Sequence, residues 1–105
     1  MPERYLVKVT RSAEADIEVI WDYVAADNRD AADKFVQELE SQIATLEQFP
    51  TRCPLIPEAE ILQVPYRHLI YSPYRTIFRM VGKVVYVMRI VHGARLLDPI
   101  TLEMH

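Results

Sequence analysis

The stretch YRHLIYSPYRTIFRMVGKVVYVMRIVHGAR, which runs from Tyr66 to Arg95, decides the fold of this chain. β-Branched and aromatic residues dominate three runs within it, and such runs favour strands. The breaks between them are Ser72-Pro73 and Gly82-Lys83, and a glycine at the first central position suits a two-residue hairpin turn of type II′. We therefore predict three consecutive strands, Tyr66–Tyr71, Tyr74–Val81 and Val84–His92.

The residues that precede this stretch predict one strand and two helices. Apolar and polar residues alternate over Tyr5–Thr10, which is the period of a half-buried strand. Two runs with helical spacing follow, the first capped by Ser12 and the second capped by Asp30 and ending at Phe49. The order β-α-α-β-β-β predicts a two-layer α+β fold, in which a helical hairpin packs on a mainly antiparallel four-stranded sheet. We expect the other face of the sheet to stay open.

Length and composition favour a single domain over residues 1–105. The chain is 50% hydrophobic and has only two glycines, which is typical of an ordered globular protein. Four prolines predict a long surface loop over residues 50–65, and residues 97–105 form a tail. The single cysteine, Cys53, fits a reducing compartment, and no apolar stretch approaches the roughly 18 residues of a membrane helix. We therefore expect a cytoplasmic protein that does not contact membranes.

Five arginines lie between Tyr66 and Arg95, although the chain as a whole is acidic. Up to Gln63, 6 lysines and arginines stand against 13 acidic residues, a net charge of −7; from Val64 onward 6 stand against 2, a net charge of +4, and the whole chain carries −3. This asymmetry points to a surface for an anionic group or an acidic partner on the C-terminal half. The candidate binding residues are Arg67, Arg75, Arg79, Arg89 and Arg95.

The predicted hairpin places several of these cations together. If Gly82-Lys83 is a two-residue turn, Arg75 lies opposite Ile90 and shares its face of the sheet with other polar side chains. Arg95 follows the last strand and can reach this face from a loop, whereas a one-residue bulge would swap the face assignments. The residues predicted on the open face are Arg75, Arg79, Tyr86 and His92.

The sequence predicts neither a cofactor nor a metal ion. Its only glycines are Gly82 and Gly93, so it has no glycine-rich loop of the kind that binds phosphates. The spacing of Cys53, His68 and His92 matches no metal-ligand pattern. His68 is most simply a strand residue with a hydrogen-bond partner.

Across nearly its whole length the chain resembles the RelE/ParE superfamily of toxins from type II toxin-antitoxin (plasmid stabilisation) modules. The segments that carry the resemblance are YLVKVTRSAEADIEVIWDYVA from Tyr5, FPTRCPLIP from Phe49 and PYRTIFRMVGKVVYVMRIVHGAR from Pro73. The resemblance implies the β-α-α-β-β-β fold that the residue pattern also predicts. It further implies a growth inhibitor that is neutralised by a cognate antitoxin encoded by an adjacent gene.

The chain resembles the ParE-like branch more closely than the RelE-like branch. This resemblance implies an inhibitor of DNA gyrase rather than an enzyme. The long helical hairpin fits this branch. A net charge of −3 is also unfavourable for a protein that must settle in the RNA-lined A site of the ribosome. This interpretation requires no proton-transfer residues, and it implies no sequence-specific DNA binding by the toxin alone.

The alternative is the RelE-like branch, which cleaves mRNA on the ribosome. By position, Arg75 and Arg95 match two arginines of this branch that are held to stabilise the scissile phosphate. His92 is the titratable group nearby. These three residues are catalytic only if the nuclease interpretation holds. The lysines that this branch carries before the strand are missing here, and His105 lies at the very end of the chain. A binding protein with the toxin fold but without toxicity is the third alternative. The sequence therefore leaves open whether the chain is an enzyme.

Overall fold

A computed structural model describes residues 4–93 of the chain. It has the predicted α+β class, with a helical hairpin on one face of a four-stranded sheet. None of the helices within the described range is long and apolar enough to cross a membrane. The strands are Leu6–Val9 (β1), Arg67–Tyr71 (β2), Tyr74–Val81 (β3) and Val84–His92 (β4), and the helices are Arg11–Ala25 (α1), Arg29–Ala44 (α2) and Ala59–Leu62 (α3).

The sheet has the strand order β1-β4-β3-β2. β1 pairs with β4 in parallel, and the other two pairings are antiparallel. β3 and β4 therefore lie at the centre, where both edges of each strand can pair, and they contribute much of the core. Phe78 from β3 packs with Leu39 and Leu46 between the sheet and the helical hairpin, and all three are fully buried.

Both long helices begin at caps that differ from the predicted ones. Thr10, not Ser12, caps α1, because its hydroxyl accepts from the Ala13 N–H at 3.3 Å and donates to the Val87 carbonyl at 2.9 Å. Asn28, not Asp30, caps α2. Since the hydroxyl of Thr10 is shared between α1 and β4, this cap also fixes the helix to the sheet, and spacing along the chain does not reveal such a contact.

The connection between α2 and β2 first pairs with the edge of β2, where Leu55 and Arg67 form an antiparallel bridge, and then covers part of the face of the sheet that points away from α1 and α2, which we call the outer face. The Ile56 N–H donates to the Tyr66 carbonyl at 3.0 Å, and the His68 N–H donates to the Pro54 carbonyl at 3.2 Å. Ile56 and Tyr66 then pack with Ile77 of β3 in a second buried cluster. The expectation that this face stays open is therefore wrong for the part that the connection covers.

The hairpin of β3 and β4 follows the predicted register near its turn and departs from it farther along. Arg79 pairs with Tyr86, as predicted, but a register shift follows between Phe78 and Ile77. At this point β4 has one more residue than β3, namely Met88, which makes the irregularity a β-bulge. Beyond the bulge, each residue of β3 meets a partner one position farther along β4 than predicted.

The bulge changes the face on which the end of β4 presents its side chains. Arg75 pairs with Val91 rather than with Ile90, and His92 pairs with Tyr74. Ile90 packs in the cluster under the helices, whereas Val91 packs in the cluster on the outer face. Because a slip of one residue moves a side chain to the opposite face, the prediction that His92 shares a face with Arg75 is wrong. The His92 ring instead lies 6.0 Å from the ring of Tyr74.

The bulge is connected to α1 by one carboxylate. β1 pairs with β4 only as far as Val87. Farther along, Asp16 of α1 accepts from Nε of Arg89 at 2.6 Å, from Nη2 at 2.8 Å and from the Ile90 N–H at 2.9 Å. The hydrogen bond with Asp16 raises the pKa of Arg89 above its ordinary value. Arg89, which breaks the alternation of the strand, therefore has a structural role at the edge of the sheet.

We predict that Asp16→Ala lowers the free energy of unfolding by about 2–4 kcal/mol, because it removes three hydrogen bonds from a part-buried pair. Glu18→Ala, on the exposed side of the same helix, should change it by less than about 0.5 kcal/mol. Urea denaturation of both variants measures the difference. Equal stability of the two variants would show that the bulge does not depend on this contact.

Candidate functional site

A cleft of about 440 Å³ opens on the outer face, at the end of the sheet farthest from the β3–β4 turn. Arg75, Glu58 and His68 contribute its polar groups, and Ile61 and Ile70 are among its apolar walls. A concave surface with a few converging polar groups and apolar walls is a usual form of binding site. This cleft is therefore the first candidate for a functional site among residues 4–93.

The sequence predicts that Arg75 lies on an open face, but in the structure its side chain is buried. Its guanidinium donates from Nη1 to Oε1 of Glu58 at 3.0 Å and from Nη2 to Oε2 at 2.6 Å. The two side chains are only 6% and 12% exposed. Such a two-pronged pair is strong and directional, and it joins the residue before α3 to the centre of the sheet. Arg75 therefore holds the connection on the outer face, with its charge largely balanced by a carboxylate.

His68 lies on β2 within the same cleft. Its Nδ1 is buried and finds no hydrogen-bond partner among the described residues, so the expected partner is not seen at this nitrogen. Burial lowers the pKa of His68 and the charge of Arg75 lowers it further, while Glu58 opposes the shift. The neutral imidazole is therefore favoured, and a neutral ring can accept a proton or a hydrogen bond from a ligand.

Arg67 and Arg79 also bind within the chain. Nη1 of Arg67 donates to the Cys53 carbonyl at 2.6 Å, which fastens the connection to the start of β2. The guanidinium of Arg79 lies 6.0 Å from the centre of the Tyr66 ring, a distance that permits a cation–π contact. Arg67 therefore holds the connection beside β2, and Arg79 contacts the connection on the outer face.

Of the predicted catalytic residues, Arg75 and His92 lie on opposite faces of the sheet. Arg75 lies in the cleft, whereas His92 lies on the helical side of the sheet. Arg95 lies outside the described residues, as does the predicted tail. The predicted convergence of the arginines is also not seen for Arg89, which binds Asp16 at the edge of β4.

Sequence reasoning missed two residues of the cleft, Glu58 and His68. A signal for His68 was present, because the period of a strand places it on the same face as Ile70, which pairs with Arg75. For Glu58 the only signal was a carboxylate inside a loop rich in prolines. No three His, Cys, Asp or Glu side chains converge between residues 4 and 93 in a way that could hold a metal ion.

A separate groove of about 320 Å³ lies between α1 and β4. Val19 and Tyr23 on its α1 side are 67% and 74% exposed, and Tyr74 and His92 lie on its sheet side. The groove follows the part of β4 beyond Val87, where β1 no longer pairs. Exposed apolar side chains that line a groove are features of protein-binding surfaces.

Comparisons with known proteins give one consistent result. A family model described as the ParE toxin of the type II toxin-antitoxin system, parDE, matches residues 7–97. A chain from a solved structure, the chromosomal ParDE TA system from P. aeruginosa, is similar with a TM-score of 0.70 and 31% sequence identity, over 85% of this chain and 96% of that chain. No curated protein sequence matches the chain. The residues that line the cleft and the groove lie within the range that the family model matches.

We predict that the stability of the protein falls as the pH is lowered from about 7.5 to about 5.5, because of His68. Its folded-state pKa is lowered, so the unfolded chain binds a proton at a higher pH than the folded chain does. The slope contributed by His68 cannot exceed about 1.4 kcal/mol per pH unit, which corresponds to one proton.

Urea denaturation of the parent and of His68→Leu across this pH range measures the contribution. The variant should lose part of the pH dependence, whereas His92→Gln should keep it because His68 is still present. If the free energy of unfolding changes equally with pH in the parent and in His68→Leu, His68 is not the source of the pH dependence.

Proposed function

The chain belongs to the ParE toxin family of type II toxin-antitoxin systems, and from this we propose that it arrests growth by inhibiting DNA gyrase. The observation that carries the proposal is the family match over residues 7–97. The structural similarity to the ParDE system, at 31% identity, supports it. A cytoplasmic site of action is part of the proposal, since bacterial DNA and gyrase are there.

The arrangement of charged groups favours inhibition over RNA cleavage. A nuclease of the RelE-like type needs cations free to orient a phosphate and a proton-transfer group beside them. Here the guanidinium of Arg75 is bound at both Nη atoms to Glu58, and His92 lies across the sheet from it. An inhibitor that acts by binding another protein needs neither condition.

We propose that the antitoxin docks in the groove between α1 and the part of β4 beyond Val87. The antitoxin as a partner is implied by the family. Val19 and Tyr23 provide apolar surface that residues 4–93 leave exposed. A segment bound there would bury both side chains.

The test of the proposed function is a paired assay on the purified chain. DNA supercoiling by purified gyrase should be inhibited, whereas a translation extract should show no new mRNA ends. Addition of the antitoxin from the adjacent gene should restore supercoiling. New mRNA ends with normal supercoiling would support the nuclease instead, and no effect in either assay would support a non-toxic binding protein with this fold.

We predict that Val19→Asp and Tyr23→Ala each weaken antitoxin binding by roughly 10- to 100-fold, because they place a charge in the groove or remove an aromatic side chain from it. Calorimetric titration of the purified pair measures the change. Glu38→Ala, on the exposed surface of α2, is the matched control and should leave affinity unchanged. If all three variants bind as the parent does, the antitoxin docks elsewhere.

A further inference from the structure

The connection that covers the outer face leaves the end nearest the β3–β4 turn exposed. Two rows of side chains cross the strands there, as the pairing of β1 with β4 and of β4 with β3 shows. The first row is apolar, and the second contains two cations on either side of a tyrosine. We call this surface the outer-face patch, and its residues are Leu6, Val84 and Val81 in the first row and Lys8, Tyr86 and Arg79 in the second.

The apolar row of the outer-face patch is poorly covered. Leu6 is 57% exposed and Val81 is 48% exposed, although both lie on strands whose opposite faces are in the core. Their neighbours across the strands share the same face, so the exposed surface is continuous rather than scattered. A continuous apolar surface of this kind on a folded domain marks an interaction site more often than isolated apolar residues do.

Arg79 differs from the other arginines of β2 and β3. Arg75 is bound by a carboxylate and Arg67 by a carbonyl oxygen. The Nε of Arg79, in contrast, is buried and finds no acceptor among residues 4–93, and no carboxylate in that range forms an ion pair with it. A part-buried guanidinium without an anionic partner is costly, so Arg79 is suited to a carboxylate supplied from outside the chain. Lys8, on the far side of Tyr86, is exposed and adds a second positive charge.

We propose that the outer-face patch docks an acidic protein segment of the toxin's target, with carboxylates against Arg79 and Lys8 and apolar side chains against Leu6, Val84 and Val81. This inference rests on the proposed function, because it names the surface through which an inhibitor of a protein target acts. The patch and the antitoxin groove lie at different places on the sheet, so the two partners meet different residues.

A nucleic acid fits the outer-face patch less well than an acidic protein segment. Binding to a phosphate backbone gains affinity from each phosphate that a cation neutralises. The patch offers Lys8 and Arg79 within a chain of net charge −3, and a phosphate backbone would leave the apolar row without a partner. A protein segment that alternates acidic and apolar residues satisfies both rows at once.

The test uses the full chain with three variants, Arg79→Glu, Lys8→Glu and Val81→Asp, and with Lys34→Glu on the exposed surface of α2 as the matched charge reversal. Each variant must first bind the antitoxin with an affinity within about threefold of the parent, which shows that it is folded. We expect the three patch variants to inhibit purified gyrase at least roughly 10-fold more weakly than the parent and to lose growth arrest in cells without antitoxin. Lys34→Glu should behave as the parent does.

The two assays separate failure of this inference from failure of the proposed function. If the parent arrests growth but does not inhibit gyrase, gyrase is not the target, and loss of arrest in the three patch variants still supports the outer-face patch. If these variants arrest growth as the parent does, or the parent arrests nothing, the inference is overturned. It is also overturned if the parent binds a labelled DNA duplex or single-stranded RNA with an affinity that Arg79→Glu abolishes, because the occupant is then a nucleic acid.

Discussion

The bulge at Met88 in β4 is the constraint on which the two faces of the sheet depend. One additional residue in a central strand turns Ile90 and His92 towards the helices and Val91 towards the outer face. The bulge also lies where β1 ends, so the Ile90 N–H can donate a hydrogen bond to Asp16 of α1. The strand, the helix and the bulge are therefore stabilised together, because a backbone donor left unpaired in this part-buried place would be costly.

The positive charge of the C-terminal half serves mainly to hold the structure together. Arg89 ties β4 to α1, Arg67 ties β2 to the connection, and Arg75 ties the centre of the sheet to the residue before α3. Exposed ion pairs contribute little to stability, but pairs removed from water and bound at two points contribute geometric specificity. The charge asymmetry of the sequence thus reflects contacts that hold the structure together and, in our proposal, a binding surface as well.

The outer face has two parts with different physical character. Near α3 it is a cleft in which Arg75 is balanced by Glu58 and His68 is kept neutral by burial. Near the β3–β4 turn it is an exposed surface on which Arg79 forms no ion pair with a carboxylate of residues 4–93. In our proposals the target meets this exposed surface, while the antitoxin meets the groove beside α1.

The sequence by itself determined the class of fold, the bounds of β3 and β4 and the turn between them, because alternation of side chains and a glycine at a turn are local properties. It also placed Arg75 and Arg79 on the outer face, since β3 itself is regular and alternates without interruption. Only the tertiary structure decided the face of His92, because the bulge depends on hydrogen bonds that the backbones of β3 and β4 form with each other and with a side chain of α1. Only the tertiary structure paired Arg75 with Glu58, since the path of a loop across a sheet is set by packing between residues distant in the chain.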